Sequence, residues 1–396
     1  MPLAYGRFLL HIKGSCLNIG MTAEEKRIKS ALDVIDKINP LATYLNDSTL
    51  SSVDEWIDTG SYVLNAIISG KLDGGVPKGR VTMLAGESMT GKTLFLMKIL
   101  ANAQKNHGLT PVIFDTENAI DAESALRCGL DLAKVKYVPC ISIEQTKNAL
   151  FKFLEMVKEK GLQGKFIVAI DSLGNLQSEI ELKRMTNDNV APDMGTRARA
   201  MKGLLQVCTN NGAVTGTTVI CTNHVYDDPS AMYPSIEKNM PGGKAAVFLP
   251  SVTVQLARKP VDTNKDGGKT NDDQLAAGQK KFAGVIIRAL TRKNRFIMQY
   301  LEGEMYLSFS TGLDRYFGLL ELAKGLEVIH LSGKSYRMGP APKDPEDKSS
   351  KSIGYYKNFR KDTKLWEETL LPLMQEKMAA EWSYSDGSDD EDVLEE

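Results

Sequence analysis

The sequence has few of the residues and runs that mark secreted, membrane-spanning or metal-binding proteins. Its five cysteines are scattered without a C-x-x-C pair, a pattern typical of buried or incidental thiols in a reducing cytoplasm. No uninterrupted apolar run approaches the roughly 18 residues that a membrane-spanning helix needs. The early segment "FLLHI" is too short for a secretory signal, and three of the four histidines (His11, His107 and His330) lie outside any metal-ligand spacing. We therefore expect a cytoplasmic protein with no membrane partner.

The chain also lacks a strong net charge, although its charges are unevenly distributed. The last eleven residues, "DGSDDEDVLEE", hold seven acids and no base. Without them, 43 acidic residues stand against 49 basic ones, so that the remaining chain carries about +6. Such a tail is either solvated and disordered, or it competes with a polyanion for the same basic groove.

The composition, 42% hydrophobic and 25% charged, predicts one large domain or two smaller ones. The segment from Met21 begins like a true amino terminus, with Thr22 as a helix N-cap, so we expect the preceding residues to be a non-native leader. The predicted divisions are a possible leader (1–20), an N-terminal helical region (21–55), a core (56–322), a small C-terminal region (323–382) and an acidic disordered tail (383–396). Segment 262–280 is expected to be a mobile insertion, and 339–364 a loose basic region before a final helix over 365–382.

The core has the alternating pattern of an α/β fold. Apolar runs rich in β-branched residues alternate with helical stretches, which predicts a mainly parallel central sheet covered by helices on both faces. The predicted strands are 80–85, 111–115, 135–139, 165–171, 217–222 and 251–257, and the main helices are 93–106, 144–160 and 194–210. Two later runs, "AGVIIRALT" and "RFIMQYL", predict an antiparallel extension of this sheet.

A glycine-rich loop stands between a predicted strand and a predicted helix in the stretch "MLAGESMTGKTLFLMKIL". Its pattern, G-x-x-x-x-G-K-[ST], lets backbone N–H groups surround phosphates at the positive end of the helix. Lys92 supplies a point charge for the β- and γ-phosphates, and Thr93 offers its hydroxyl to Mg²⁺. The sequence therefore predicts a nucleoside triphosphate site formed by Gly86, Glu87, Ser88, Met89, Thr90, Gly91, Lys92 and Thr93.

Carboxylates follow two of the other predicted strands. Asp171 ends the run "KFIVAID", which places it at the carboxyl edge of the sheet, where it can hold the magnesium or its water. Hydrolysis also needs a group that orients the attacking water. The segment "FDTENAID" ends a strand close to the same edge, and on the residues alone Glu117, Asp115 and Asp121 are nearly equal candidates.

In this order, the motifs resemble the RecA family of strand-exchange ATPases over about residues 55–320. The run "TGSYVLNAIISGKLDGGVPKGRVTMLAGESMTGKT" resembles the family's approach to its phosphate loop, and "IDSLGNL" its magnesium-site strand. The resemblance implies that ATP and Mg²⁺ are the ligands, that Glu117 is the catalytic glutamate, and that His224 in "VICTNHVY" senses the γ-phosphate.

Three features are most similar to the phage recombinases of the UvsX type. They are the "NH" pair that includes the sensor residue His224, the motif "DSLGNL" and the acidic C-terminus. A phage origin would imply the cytoplasm of the host cell. The spelling "TGKT" is instead closer to bacterial RecA, and 262–280 has no clear counterpart in the family.

Two polar loops are candidate nucleic-acid contacts. On its residues alone, "SEIELKRMTNDNVAPDMGTRARAMKGLL" is either an ordinary loop with a solvated basic helix face or a surface for phosphates. The resemblance implies that it is the family's first DNA-binding loop, and that "VYDDPSAMYPSIEKNMPGGKAAVFLPS", with aromatic and Met side chains before a Gly-Gly step, is the second. The candidate DNA-binding residues are Lys183, Arg184, Arg197, Arg199, Lys202, Gly242, Gly243 and Lys244.

A basic cluster ends the run "RALTRKNRFI". On composition alone, a basic hairpin at the surface is as well supported as a functional cluster. The resemblance implies that Lys293 and Arg295 match a Lys-x-Lys pair that reaches the ATP of the neighbouring subunit in the family's filaments. There they would act as arginine fingers do, which makes them catalytic residues together with Lys92 and Glu117.

The function implied is that of a DNA-dependent ATPase and homologous recombinase, which forms ATP-bound filaments on single-stranded DNA and exchanges strands with duplex DNA. Expected partners are both forms of DNA, further copies of the chain, a single-strand-binding protein and a recombination mediator. Two alternatives share the ATPase core. A DnaB-like replicative helicase normally has a longer N-terminal helical domain than the roughly 55 residues here, and a KaiC-like assembly ATPase would not need the two loops.

Overall fold

The computed structural model describes residues 22–39, 41–48, 52–185, 195–227, 238–262, 282–344 and 349–383. The predicted leader, insertion 262–280 (from residue 263 onwards) and almost all of the acidic tail lie outside them. The helices are α1 (Ala23–Ile38), α2 (Tyr62–Ser69), α3 (Lys92–His107), α4 (Ala122–Arg127), α5 (Ile143–Glu159), α6 (Glu179–Met185), α7 (Thr196–Val214), α8 (Lys244–Phe248), α9 (Leu319–Gly325), α10 (Tyr356–Phe359), α11 (Thr363–Leu365) and α12 (Leu371–Glu381). The strands are β1 (Trp56–Ile57), β2 (Val76–Pro77), β3 (Val81–Gly86), β4 (Thr110–Asp115), β5 (Lys136–Pro139), β6 (Phe166–Asp171), β7 (Thr218–Asn223), β8 (Val252–Asp262), β9 (Phe282–Asn294), β10 (Glu302–Ser308), β11 (Gly312–Asp314), β12 (Ile329–Ser332), β13 (Ser335–Met338) and β14 (Ser352–Gly354).

The chain divides into two units, the first ending at Ser52 and the second beginning at Val53. In the first, α1 starts with a capping box: the Glu25 N–H donates to Thr22 Oγ1 at 3.2 Å, and the Thr22 N–H donates to the Glu25 carboxylate at 2.7 Å. The sequence prediction of Thr22 as N-cap is therefore confirmed. No residue of α1 is buried, and Ile28 and Ile35 lie exposed on its apolar side.

The second unit contains a nine-stranded sheet in the order β11-β10-β9-β8-β3-β7-β6-β4-β5. The six strands from β8 to β5 run parallel, whereas β9, β10 and β11 extend the sheet antiparallel beyond β8. All six sequence-predicted strands are parallel strands here, so the predicted α/β class is confirmed. Because the six strands are parallel, their carboxyl ends meet at one edge of the sheet, which is called the carboxyl edge below.

Helices cover both faces of this sheet, and the side chains of each strand alternate between them. Leu84 of β3 faces a core that includes Phe95 of α3, while Met83, its neighbour in sequence, faces a second core. That second core includes Leu150 of α5 and Leu205 of α7. Strands buried on both faces have few polar positions, which is why they read as continuous apolar runs in the sequence.

The antiparallel extension differs from the prediction. "AGVIIRALT" lies in β9, but "RFIMQYL" is not a strand; the strand that pairs with β9 is β10, which follows it. The Asn294 side chain accepts the N–H groups of Phe296 (2.9 Å) and Ile297 (3.4 Å), and this turns the chain at the end of β9. Ile297 is buried in the core, so the apolar residues of this segment anchor a connection between strands.

The C-terminal region is more ordered than expected. Segment 339–364, predicted to be loose, contains β14 and α10, and Phe359 of α10 is buried beside Trp366. The final helix has a π-helical turn at Trp366–Leu370, just before Pro372, which has no N–H to donate to the preceding turn. Gln375 of α12 bonds to the backbone of Gly70 and Leu72, so this region packs on the same core as α2.

None of the helices in the described ranges combines the length and the apolar character that crossing a membrane requires.

Candidate nucleotide site and adjoining loops

The phosphate loop connects β3 to α3 at the carboxyl edge, as predicted. Gly91 has a φ of +87°, and a Cβ on Gly86 would lie 2.5 Å from Thr90 Oγ1 and 2.7 Å from the Leu256 carbonyl oxygen, so both positions need glycine. The Lys92 ammonium donates to the carbonyl oxygens of Gly86 (2.9 Å) and Glu87 (2.8 Å), and its side chain is 8% exposed. Burial lowers the pKa of Lys92, and the nearby carboxylates oppose that shift.

Asp171 ends β6 beside the first turn of α3. Thr93 Oγ1 donates to Asp171 Oδ2 at 2.8 Å, and Thr222, at the end of β7, donates to Oδ1. Burial raises the pKa of Asp171, whereas the two hydroxyl groups lower it. A hydroxyl and a carboxylate oxygen are the hard ligands that Mg²⁺ prefers, with phosphate oxygens and water completing its shell. Thr93 and Asp171 therefore fit a magnesium ion.

The three carboxylates that the sequence left as alternatives have different surroundings. Asp115 is buried, and it accepts the N–H groups of Glu117 and Asn118 at 2.9 Å and the Tyr137 hydroxyl at 3.1 Å. Asp121 caps α4 by accepting the Ser124 N–H at 2.9 Å. Both side chains thus organise the backbone of their own segment. Glu117, by contrast, directs its carboxylate towards residues that directly follow β6 and β7.

Glu117 is held by two side chains. Its Oε1 atom accepts the Ser172 hydroxyl and lies 3.1 Å from His224 Nε2, one residue beyond β7. Backbone contacts fix the Ser172 side of this arrangement: the Ser172 N–H donates to Thr116 Oγ1 at 2.9 Å, and Thr116 Oγ1 donates to the Ser172 carbonyl at 2.8 Å. The segments after β4, β6 and β7 therefore meet around one carboxylate.

Lys293 and Arg295 lie away from this group. Register pairs Val252 of β8 both with Thr82 near the start of β3 and with Asn294, so the end of β9 lies at the amino edge of the parallel strands. The Lys293 ammonium donates to the carbonyl oxygens of Phe248 and, at 2.7 Å, Pro250. The two predicted catalytic cations are thus at the edge opposite their own phosphate loop.

The basic residues of the first predicted DNA loop lie on α6 and α7, and residues 186–194 between these helices lie outside the described ranges. Arg199 and Lys202 are exposed on α7. Arg197 instead donates from Nε to the Leu176 carbonyl oxygen at 3.1 Å and from Nη2 to that of Gly174. Its guanidinium therefore ties α7 to the segment that follows Asp171. Lys183 and Arg184 lie on α6.

The second predicted DNA loop leaves β7 at Tyr226 and returns before Gly242. Tyr226 and Asn239 exchange two backbone hydrogen bonds of 2.9 Å, and the Asn223 amide donates to the Pro241 carbonyl at 3.0 Å. Gly242 packs on Met201 of α7, where a Cβ would lie 2.8 Å from that side chain. Gly243 and Lys244 open α8 and are exposed. Met240 is buried and Tyr226 exposed, while Met232 and Tyr233 lie outside the described residues.

Sequence reasoning missed two residues of the site and one residue that lies beside it. Thr222 donates to Asp171, Ser172 donates to Glu117, and Lys238 contacts Glu87 of the loop between β3 and α3. A signal existed for two of them, because each hydroxyl lies at the end of a strand that the sequence already assigned to this edge. Nothing in the sequence indicates the partner of Lys238, since a loop outside the predicted elements separates it from β7.

Comparison with known proteins gives one family and a consistent set of relatives. The family model described as the RecA N-terminal domain matches residues 26–297. Protein RecA of Chlorobium chlorochromatii is 26% identical over 358 residues, 89% of this chain and 92% of its own. Protein RecA of Campylobacter hominis is 27% identical over 377 residues (94% and 98%), and that of Frankia alni is 29% identical over 314 residues (79% and 82%).

Proposed function

Because the chain belongs to the RecA family, we propose that it is a DNA-dependent ATPase that carries out homologous recombination. In this proposal ATP-bound subunits assemble on single-stranded DNA and exchange strands with a duplex. The observation that carries it is the convergence of Lys92, Asp171, Glu117 and His224 at one sheet edge, from four different strands or their loops. Such convergence at the carboxyl edge is what ATP hydrolysis on an open α/β sheet requires.

Each residue of this edge has a distinct task in hydrolysis. The loop backbone and Lys92 bind the phosphates, and Thr93 and Asp171 hold Mg²⁺. When bound, Mg²⁺ neutralises charge on the phosphate oxygens. Glu117 orients the attacking water and accepts its proton. His224 contacts both Glu117 and the end of β7, from where it responds to the γ-phosphate.

Lys293 and Arg295 act on the nucleotide of a neighbouring subunit. Their position at the amino edge, opposite their own phosphate loop, supports this assignment. A head-to-tail contact between the two edges is heterologous, and such contacts form open helical filaments when the rotation does not close. The exposed apolar side of α1 is the proposed docking element on a further copy of the chain.

The two loops bind DNA through its backbone and stacked bases, so that sequence specificity comes from base pairing. Basic side chains near both loops are suited to phosphate contacts. They are the exposed Arg199, Lys202 and Lys244 and those at the basic end of α6. The Gly242–Gly243 step lets the second loop approach α7 closely. A single-strand-binding protein and a mediator complete the proposed partners. Within the family, "NH" at 223–224 and "DSLGNL" favour the phage UvsX type.

The test is ATP hydrolysis with and without single-stranded DNA, with the same samples imaged by negative-stain electron microscopy. We expect strong stimulation together with helical filaments, and loss of both turnover and stimulation in the control Lys92→Ala. Stimulated turnover in closed rings would replace the proposal with a DnaB-like helicase. Turnover that is the same with and without DNA, in samples that form no filaments, would replace the proposal with an assembly ATPase similar to KaiC.

A further inference from the structure

Lys238 lies where the second loop returns to the sheet, and it contacts four parts of the molecule. Its ammonium forms ion pairs with Glu87 of the phosphate loop and, at 3.2 Å, with Asp227 at the start of its own loop. Its backbone N–H donates to the Gln255 side chain of β8 at 3.1 Å, and Arg292 of β9 donates to its carbonyl oxygen. One residue therefore joins the phosphate loop, both ends of the second loop and two strands.

The phosphate-loop end of this connection shares its backbone contacts with Lys92 and Thr90. The Glu87 carbonyl oxygen accepts the Lys92 ammonium and the Thr90 hydroxyl, both at 2.8 Å. When Lys92 turns its ammonium towards a phosphate, it gives up the Glu87 carbonyl, and the peptide at that position is no longer held by the lysine. Any shift of the Glu87 backbone would carry its carboxylate with it. Lys238 is the residue that this carboxylate bonds.

The other end of the connection is held by several contacts. The residues after Lys238 are fixed by the Tyr226–Asn239 backbone pair, by the bond from Asn223 to Pro241 and by burial of Met240. They lead directly to the Gly242–Gly243 step of the candidate DNA interface. Only three residues, Asn239, Met240 and Pro241, separate Lys238 from that interface, and each of them is paired or buried.

We propose that Lys238 is a positioning residue that couples the phosphate loop to the second loop, and that it sets how strongly DNA stimulates ATP turnover. This inference rests on the proposed function. The hydrogen bond to Glu87 raises the pKa of Lys238, so the ammonium stays charged at neutral pH. The two side chains are 25% and 59% exposed, and exposed ion pairs contribute little to folding, so removing the pair leaves the fold intact.

The first experiment replaces the charge with an apolar side chain of similar length, Lys238→Met. We expect basal turnover without DNA to stay within about twofold, and DNA stimulation to fall by about fivefold or more, the usual lower range of site-to-site coupling. Coupling between two binding sites is reciprocal, so the ratio of DNA affinities measured with a non-hydrolysable ATP analogue and with ADP should also fall. Lys238→Arg keeps the positive charge, so it should retain most of the DNA stimulation and most of the affinity ratio.

The matched control is Lys324→Met, which removes another surface ion pair, 2.7 Å from Glu321 on α9. It should leave the stimulation unchanged. If the wild type is stimulated and Lys238→Met is stimulated equally, this inference fails while the proposed function stands. If DNA does not stimulate the wild type, both fail.

A double-mutant cycle separates coupling from direct DNA contact by Lys238. If the ion pair is the connection, Glu87→Gln and Lys238→Met remove the same link, and the double variant loses no more stimulation than the more affected single variant. If Lys238 contacts DNA phosphates itself, the two losses multiply, and the salt dependence of DNA binding falls in Lys238→Met alone. Independent losses would overturn the proposal.

Discussion

Glu117 Oε1 lies 3.1 Å from His224 Nε2, although 107 residues separate the two in the chain. This contact joins the residue proposed to orient water to the residue proposed to sense the γ-phosphate. Ser172 bonds the same Oε1 atom, so the carboxylate has one partner at the end of β6 and another just beyond β7. His224 therefore acts on Glu117 through a direct contact.

The first prediction concerns Glu117. Replacing it by glutamine keeps the shape and a hydrogen-bonding oxygen but removes the proton acceptor, so kcat should fall by about 10²- to 10⁴-fold while ATP affinity changes little. Steady-state ATPase assays measure kcat, and nucleotide titrations measure the affinity for ATP. Asp121→Asn is the matched control, because Asp121 is the exposed N-cap of α4 and should leave kcat near the wild-type value. Equal losses in the two variants would contradict the role of Glu117.

The sequence was sufficient to predict the glycine-rich loop between β3 and α3, α3 itself and the six parallel strands. These elements have local signatures: a glycine pattern whose spacing reflects phosphate binding, and apolar runs that reflect burial on both faces. The segment 295–301 was wrongly predicted as a strand because apolar residues that anchor a turn have the same local pattern. What decides its conformation is the Asn294 side chain, which bonds the backbone of the next residues.

The choice among Asp115, Glu117 and Asp121 could not be made from local pattern. All three lie within seven residues at the end of one strand, and each has the chemistry of a base. They differ in their hydrogen-bond partners from distant parts of the chain. Asp115 bonds Tyr137 of β5, whereas Glu117 bonds residues at the ends of β6 and β7. Such partners depend on the order of strands in the sheet. The ion pair between Glu87 and Lys238 depends on it in the same way, across 151 residues.

A second prediction follows from the opposite positions of the phosphate loop and of Lys293 and Arg295. Replacing both cations by alanine should lower DNA-stimulated turnover by about 10³-fold or more, as loss of an arginine finger does, while the subunit stays folded. Lys92→Ala should also be inactive. Mixed in equal amounts, the two inactive proteins should regain turnover, because an intact phosphate loop on one subunit then meets intact cations on its neighbour.

The control for this mixture is a triple variant that carries Lys92→Ala together with both cation substitutions. It offers neither an intact loop nor intact cations, so adding it to the double variant should restore nothing. If the first mixture also stays inactive although both proteins join the same filaments, the cations do not act across subunits. Co-assembly can be checked by labelling each variant with a different fluorophore.

The third prediction concerns the pH dependence of stability at Lys293. Burial, together with the positive charge of Arg295, lowers the pKa of Lys293 to about 8, whereas an unfolded chain keeps a lysine pKa near 10.4. Between these values the unfolded state binds a proton that the folded state does not, so the stability of the wild type rises with pH across that window. Below pH 8 the cost of holding the charged ammonium is fully present.

Lys293→Met removes this titration and leaves the others in place. The difference between the melting temperatures of wild type and variant should therefore change in favour of the wild type from about pH 8 to pH 10.5, and stay constant below pH 7.5. Differential scanning calorimetry of both proteins in matched buffers measures it. A difference that is the same at every pH would mean that the ammonium keeps an ordinary pKa.

The last prediction concerns the turn before β2. Gly75 has a φ of +123°, and a Cβ there would lie 2.1 Å from the Ile57 carbonyl oxygen and 2.9 Å from Asn65 Oδ1. That Asn65 oxygen accepts the backbone N–H of Thr59 at 2.9 Å and its hydroxyl at 2.6 Å, so the methyl group would displace a buried polar contact as well as strain the backbone. Gly75→Ala should therefore destabilise the protein by about 1–3 kcal/mol or more.

Gly108→Ala is the control, because Gly108 also has a positive φ, +62°, but no atom lies within 4 Å of its added Cβ. Its melting temperature should fall less, because it avoids both the collision with Ile57 and Asn65 and the greater backbone strain at a φ of +123°. Equal shifts would show that neither the collision nor the added strain destabilises the turn at Gly75.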